Sequence, residues 1–244
     1  MRAVRPAGSR AGLARSVRLF RLFLREQSDP ELFYSALAAD SVAQLRQWAP
    51  LPGALVIDVG GGPGYFGRAF AAAGARYVGI ELDAPTDLPA EAHALVASAT
   101  ALPLRTGSVD LAYSSNVVEH LAEPWRMAAE MVRVTRPGGL VYLSFTPWLS
   151  PWGGHETAPW HYLGGDRARR RYARRHGREP KNAYGRTLFA HRVDEALRWA
   201  AGCPDVQVLA ALPRYHPRWA WWLARVPAVR EVALWNLALV LRKR

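Results

Sequence analysis

Residues 57–66 read Ile-Asp-Val-Gly-Gly-Gly-Pro-Gly-Tyr-Phe, an apolar run that carries an acid, Asp58, and breaks into a glycine-rich turn. Gly60, Gly62 and Gly64 let the backbone turn sharply and approach a ligand at distances a Cβ forbids, and the helix that follows offers free N–H groups. A ligand carried there rests on main chain rather than on side chains. A second acid, Glu81, closes the run Arg-Tyr-Val-Gly-Ile at 76–80. A carboxylate at the carboxyl end of such a strand can accept both hydroxyls of a ribose. Loop and acid together are the chemistry of an adenosine-containing cofactor. Two glycine spacings overlap in the loop: G-x-G-x-G counted from Gly60, and the dinucleotide spacing G-x-G-x-x-G counted from Gly62 through Gly67.

These residues need strands that end together and helices that return the chain. Gly74 stops the helix after the loop, and the 76–80 run forms the second strand. Ala-Leu-Pro-Leu at 101–104 precedes an apolar run at 107–116 that ends in Asn116. Val-Val-Glu-His-Leu at 117–121 follows, then a helix over about Pro124–Val134, Arg-Pro-Gly-Gly at 136–139, and a strand over Leu140–Phe145. This ordered succession resembles the class I S-adenosylmethionine-dependent methyltransferases, in the type 11-like branch, well over residues 54–146 and loosely elsewhere. The resemblance implies a Rossmann-like α/β fold whose seven-stranded, mostly parallel sheet has an antiparallel last strand, with S-adenosyl-L-methionine as cofactor. By position it implies that Asp58, Gly60, Gly62 and Gly64 form the cofactor loop and that Glu81 binds the ribose. Ser98 stands where the family usually has an aspartate for the adenine amino group, so that contact passes to the Ser98 hydroxyl and the Ala99 backbone. Pro63 replaces a commoner threonine or serine and removes one loop N–H. Asn116 falls beside the methionine part of the cofactor.

The chain has 244 residues, half of them hydrophobic, enough for one large core. A single domain is expected, made of a helical cap at 1–50, a cofactor core at 51–146, an insertion over the site at 147–187, and a C-terminal part at 188–244 that completes the sheet around a second insertion. The lone Cys203 excludes an internal disulfide and agrees with a cytoplasmic setting. The amino terminus lacks a secretory apolar core, and no stretch reaches the length of a membrane span.

The formal net charge is +12, carried almost wholly by arginine. Residues 13–25 put Leu13, Val17, Phe20 and Leu24 on one helical face and Arg15, Arg18, Arg21 and Arg25 on another. Two readings follow: a lid packed on the domain, or a basic amphipathic helix resting on an anionic membrane, which would make the protein peripheral at the inner face. Nucleic acid is not an expected partner, because no recognition motif accompanies the charge.

Residues 146–187 contain Trp148, Trp152 and Trp160 and close on Arg167, Arg169, Arg170, Arg171, Arg174 and Arg175; a second insertion holds Trp219, Trp221 and Trp222. As a roof over the crevice these tryptophans favour a small-molecule or lipid acceptor of apolar character; the plainer alternative is that they pack the insertions together. The insertions resemble those of an actinobacterial methyltransferase-like group, which leaves the acceptor open. Methyl transfer to a hydroxyl needs a base, and His155 with Glu156 is the first expectation, with His120, His161 and His216 as competitors. The histidine spacing shows no metal site. Three functions stand: methyl transfer to an O or N atom, a methyltransferase-like module that binds a lipid or partner without turnover, and an NAD-dependent oxidoreductase favoured only by the overlapping glycines.

Overall fold

The computed structural model describes residues 12–83 and 93–244. The first part of the expected N-terminal cap, 1–11, lies outside the described residues. Strands β1 (Leu55–Val59), β2 (Arg76–Glu81), β3 (His93–Val96), β4 (Val109–Ser115), β5 (Thr135–Phe145), β6 (Val206–Pro213) and β7 (Leu237–Lys243) form one sheet in the order β3-β2-β1-β4-β5-β7-β6. The strands from β3 to β5 are parallel neighbours, and β7 runs antiparallel to both β5 and β6. Strand order reverses between β2 and β4 around β1, which opens a crevice at the carboxyl ends of β1 and β4.

The strands are apolar on both faces because both are covered. Ile57, Val141 and Leu239 face one layer, packed with Met127 and Met131 of α4 (Pro124–Val134) and Ala196 of α6 (Val193–Gly202). Val56, Tyr142 and Val240 face the other, packed with Leu37 and Leu45 of α2 (Pro30–Leu45) and Phe70 of α3 (Tyr65–Ala72). Local signals set the helix ends: Asp29 accepts the Leu32 N–H at 3.1 Å with Pro30 in the first turn of α2, and Pro124 opens α4. The buried Glu231 carboxylate accepts the Val193 and Asp194 N–H groups, so a side chain distant in sequence caps α6.

Several boundaries differ from expectation. The last strand begins at Leu237, three residues after the start at Leu234 expected from the sequence; the preceding Asn236 gives its amide to Asn116. Strand β6 runs on to Pro213, since β7 pairs with it along its length. The first insertion contains helical segments: short 3-10 turns at His155–Thr157 and Trp160–Leu163 lead into α5 (Gly165–His176), which carries the arginine cluster. The second insertion folds as a 3-10 helix, Arg218–Arg225, and a short α7 (Val229–Ala233).

At the amino-terminal side, α1 (Leu13–Phe23) packs on the domain, as the lid reading expects. Leu19 is buried, and Phe20 and Phe23 pack on Trp152 with ring centroids 6.4 and 4.9 Å away, so the helix does lie on the domain. Leu13, Val17 and Leu24 nevertheless stay exposed, beside Arg18, Arg21 and Arg25. The Arg15 guanidinium pairs with Asp40 of α2 and pins the helix down.

Candidate functional site

The β1 loop forms the floor of the crevice. Gly60, Gly62 and Gly64 all adopt positive φ, at 77°, 63° and 85°. A Cβ on Gly60 would lie 2.4 Å from Val117, so the residue type is fixed by close approach as well as by conformation. Gly67, the last glycine of the dinucleotide spacing, packs against the ring of Tyr77, where a Cβ would come within 2.9 Å. Its role is helix–strand packing.

The two acids behave differently. Asp58 is buried and accepts the Tyr77 hydroxyl at 2.9 Å; burial, opposed by that bond and reinforced by Glu81, pushes its carboxyl up to about 8. Asp58 therefore lies beneath the loop and supports it. Glu81 is half-buried, and one oxygen accepts the Gly62 N–H. Burial raises its pKa while that backbone bond lowers it. The acid thereby ties the loop to the carboxyl end of β2.

The cleft beside Glu81, about 320 Å³, is walled by Gly60, Ile80, Ala97, Ser98, Ala99, Val117 and Leu121. Small and apolar side chains around a carboxylate suit an adenosine. Ser98 lines this cleft, but its hydroxyl is engaged with the Thr100 hydroxyl at 3.0 Å and accepts the Thr100 N–H at 3.3 Å. Asn116, at positive φ of 59°, ends β4 and accepts the Asn236 amide at 2.8 Å. These residues fit the cofactor implied by the sequence.

A second cluster assembles across the crevice. His120 closes the 3-10 turn after β4, and its Nδ1 bonds the Thr187 carbonyl at 2.7 Å. His155 enters from the first insertion at φ of 47°, with its ring 5.3 Å from that of His120. Glu119 is 1% exposed; Oε1 accepts the Thr146 N–H at 3.0 Å, whereas Oε2 has no hydrogen-bond partner. Ligand atoms of Glu119, His120 and His155 lie within 4.8 Å of one another. The carboxylate that accompanies His155 is thus Glu119. Glu156, the expected partner, points away and accepts both bonds from the Asn182 amide, because neighbouring residues in a 3-10 turn face different ways.

The two other candidate histidines are packing groups. His161 is buried against Trp148 with Nε2 at 3.2 Å from the Ser150 carbonyl, and burial lowers its pKa. Burial likewise lowers that of His216, which lies against Trp235. The insertion is strapped to the β4 loop by the main chain: Phe189 N–H to the Glu119 carbonyl and Trp148 N–H to the His191 carbonyl, both at 2.8 Å. Gly153 and Gly154 permit this approach, since Cβ atoms there would meet the Trp148 carbonyl at 2.0 Å and the His161 ring at 2.5 Å.

The tryptophans divide. Trp152 packs on α1 and Trp160 carries Arg171 over its ring at 3.9 Å, whereas Trp219 and Trp222 are 70% and 54% exposed. A residue that sequence reading missed is Arg214, fully buried and bonded to the hydroxyls of Ser41, Ser115, Ser144 and Tyr113 at 2.6–3.3 Å. It clamps the carboxyl ends of β4 and β5 to α2. In a chain with 32 basic residues nothing local marks it.

A family profile described as a methyltransferase domain matches residues 57–143. An uncharacterized methyltransferase of Mycolicibacterium gilvum is 53% identical over 251 residues, covering 96% of each chain. One of Mycobacteroides abscessus is 51% identical over 256 residues with the same coverage. Among solved structures, an S-adenosylmethionine-dependent methyltransferase from Mesorhizobium loti superposes with a TM-score of 0.56 at 20% identity, covering 84% of this chain and 97% of that one. A geranyl diphosphate methyltransferase in complex with SAM gives 0.55 at 17% identity, covering 99% and 96%.

Proposed function

The chain belongs to the methyltransferase-domain family and is an S-adenosylmethionine-dependent methyltransferase, and from that premise we propose that it methylates an O or N atom of an apolar, membrane-associated acceptor of lipid or glycolipid type. The observation that carries the acceptor class is the outward apolar surface: Leu13, Val17 and Leu24 on α1 beside exposed arginines, with Trp219 and Trp222 on the second insertion. Solvent-exposed apolar groups flanked by basic residues suit a surface that meets lipid.

When bound, S-adenosylmethionine supplies a methyl already activated by its sulfonium, so the chain's own task is alignment, exclusion of water and proton removal. The Gly61 and Gly64 amides and the Glu81 carboxylate would hold the cofactor's ribose side, Ala97 to Ala99 would flank adenine, and Asn116 would stand at the methionine end. The corner of Glu119, His120 and His155 is the candidate for meeting the hydroxyl of an acceptor and assisting the loss of its proton. Proximity supplies most of the rate. The exposed arginines Arg167, Arg170, Arg174 and Arg175 of α5 stand ready for an anionic head group.

The test has two stages. Calorimetric titration should give binding of S-adenosylmethionine and its demethylated product and none of NAD, with E81A weakening both by about 1.5–3 kcal/mol. Labelled methyl transfer into fractionated cell extract should then follow the lipid fraction. Label confined to water-soluble metabolites would overturn the acceptor class, and tight cofactor binding without transfer to any fraction would favour the binding module without turnover.

A further inference from the structure

The geometry points to a divalent transition-metal site made by Glu119, His120 and His155. Three observations converge on it. Ligand atoms of the three residues lie within 4.8 Å of one another, close enough for one ion to draw them together by small side-chain rotations. The Glu119 Oε2 is buried without a partner, a costly arrangement for a carboxylate oxygen unless something positive meets it. His120 has its Nδ1 committed to the Thr187 carbonyl at 2.7 Å, which fixes the tautomer and leaves Nε2 with its lone pair outward. A backbone carbonyl on the far ring nitrogen is the usual support of a metal-binding imidazole.

His155 completes the set at some conformational cost. It is one of few non-glycine residues at positive φ, 47°, reached through Gly153 and Gly154. Strain of this kind persists where the surroundings impose it. Packing of the Gly-Gly segment on Trp148 and His161 does so here, and it delivers the ring to the other two ligands.

The donor set selects the ion. Two imidazoles and one carboxylate favour zinc, iron or manganese over magnesium and calcium, which prefer oxygen. Three protein ligands leave positions open, the mark of a site that takes a further molecule. A hydroxyl ligated there would be acidified so that its proton passes to solvent. That use of the ion rests on the methyl-transfer reading; the site itself does not.

The experiment titrates the chelator-stripped full-length chain with Zn²⁺, Mn²⁺ and Mg²⁺ in turn, reading heat and bound metal per chain, and records the visible spectrum of the Co²⁺ form. One ion per chain is expected, with Zn²⁺ tighter than Mg²⁺ and a loss of more than about tenfold in H155A and in H120A. H155A removes a half-exposed ring and keeps the Glu119–Thr146 bond, so it separates lost ligation from lost folding. S-adenosylmethionine titrations on the same variants keep the two readings apart, since cofactor binding with no metal uptake by the wild type overturns the ion alone. Zinc bound equally well by wild type, H120A and H155A would also overturn it.

Discussion

Asp58 is a single buried acid beside the cofactor loop whose burial governs its protonation. Its carboxyl accepts the Tyr77 hydroxyl below the turn and keeps its proton up to about pH 8, because burial penalises the charged form. In the unfolded chain the same group ionises near pH 4. Between those values the native state binds more protons than the unfolded state, so stability falls as pH rises, by roughly 1.4 kcal/mol per pH unit from this group. D58N retains an acceptor for Tyr77 and has no proton to keep. The melting temperature of the wild type should therefore drop relative to D58N as pH rises from about 4 to 8, and the difference should level off below 4. Parallel pH curves for the two proteins would show that Asp58 is not the source.

Among the elements, the first insertion decides whether the acceptor side is built at all. Its glycine pair, two 3-10 turns and α5 form one packed strap over the β4 loop, tied by the Phe189 and Trp148 amides. G154A places a methyl 2.5 Å from the buried His161 ring, which is held against Trp148 and cannot yield freely. Overpacking of this kind costs about 1–3 kcal/mol. The expected outcome is a lower melting temperature and a fall in methyl transfer, with cofactor affinity unchanged because the β1 loop and Glu81 are remote from the change. An equal loss of cofactor affinity would mean that strap and cofactor floor are one unit.

At the scale of the whole molecule the charge excess and the exposed apolar groups meet on α1. No helix among the described residues is long and apolar enough to cross a membrane, so contact with lipid would be made from one side. Sedimentation with vesicles tests this directly: binding should require anionic lipid, weaken with salt as screening grows, and drop about tenfold or more when Leu13 and Leu24 are both changed to Ser. Both side chains are largely exposed, at 60% and 63%, so the double variant should melt like the wild type. Equal partition of variant and wild type would remove α1 from the acceptor argument.

The cofactor half of the protein was legible in the sequence because its signals are local. Glycines that need positive φ, an acid at a strand end, and proline or glycine at helix ends act over a few residues, and the structure returns Gly60, Gly62, Gly64, Glu81 and the Pro124–Val134 helix where the pattern puts them. The partner of His155 was not legible. Glu156 is its neighbour in the chain, yet the bond it makes is to Asn182, and the carboxylate that faces His155 belongs to Glu119 on another element. Arg214 was equally silent, since its hydroxyl partners come from α2, β4 and β5. Sequence fixes which strands and turns form, because those depend on backbone conformation and periodicity. Which side chains meet across the crevice depends on how an insertion docks, and that is set by packing contacts between residues far apart in the chain.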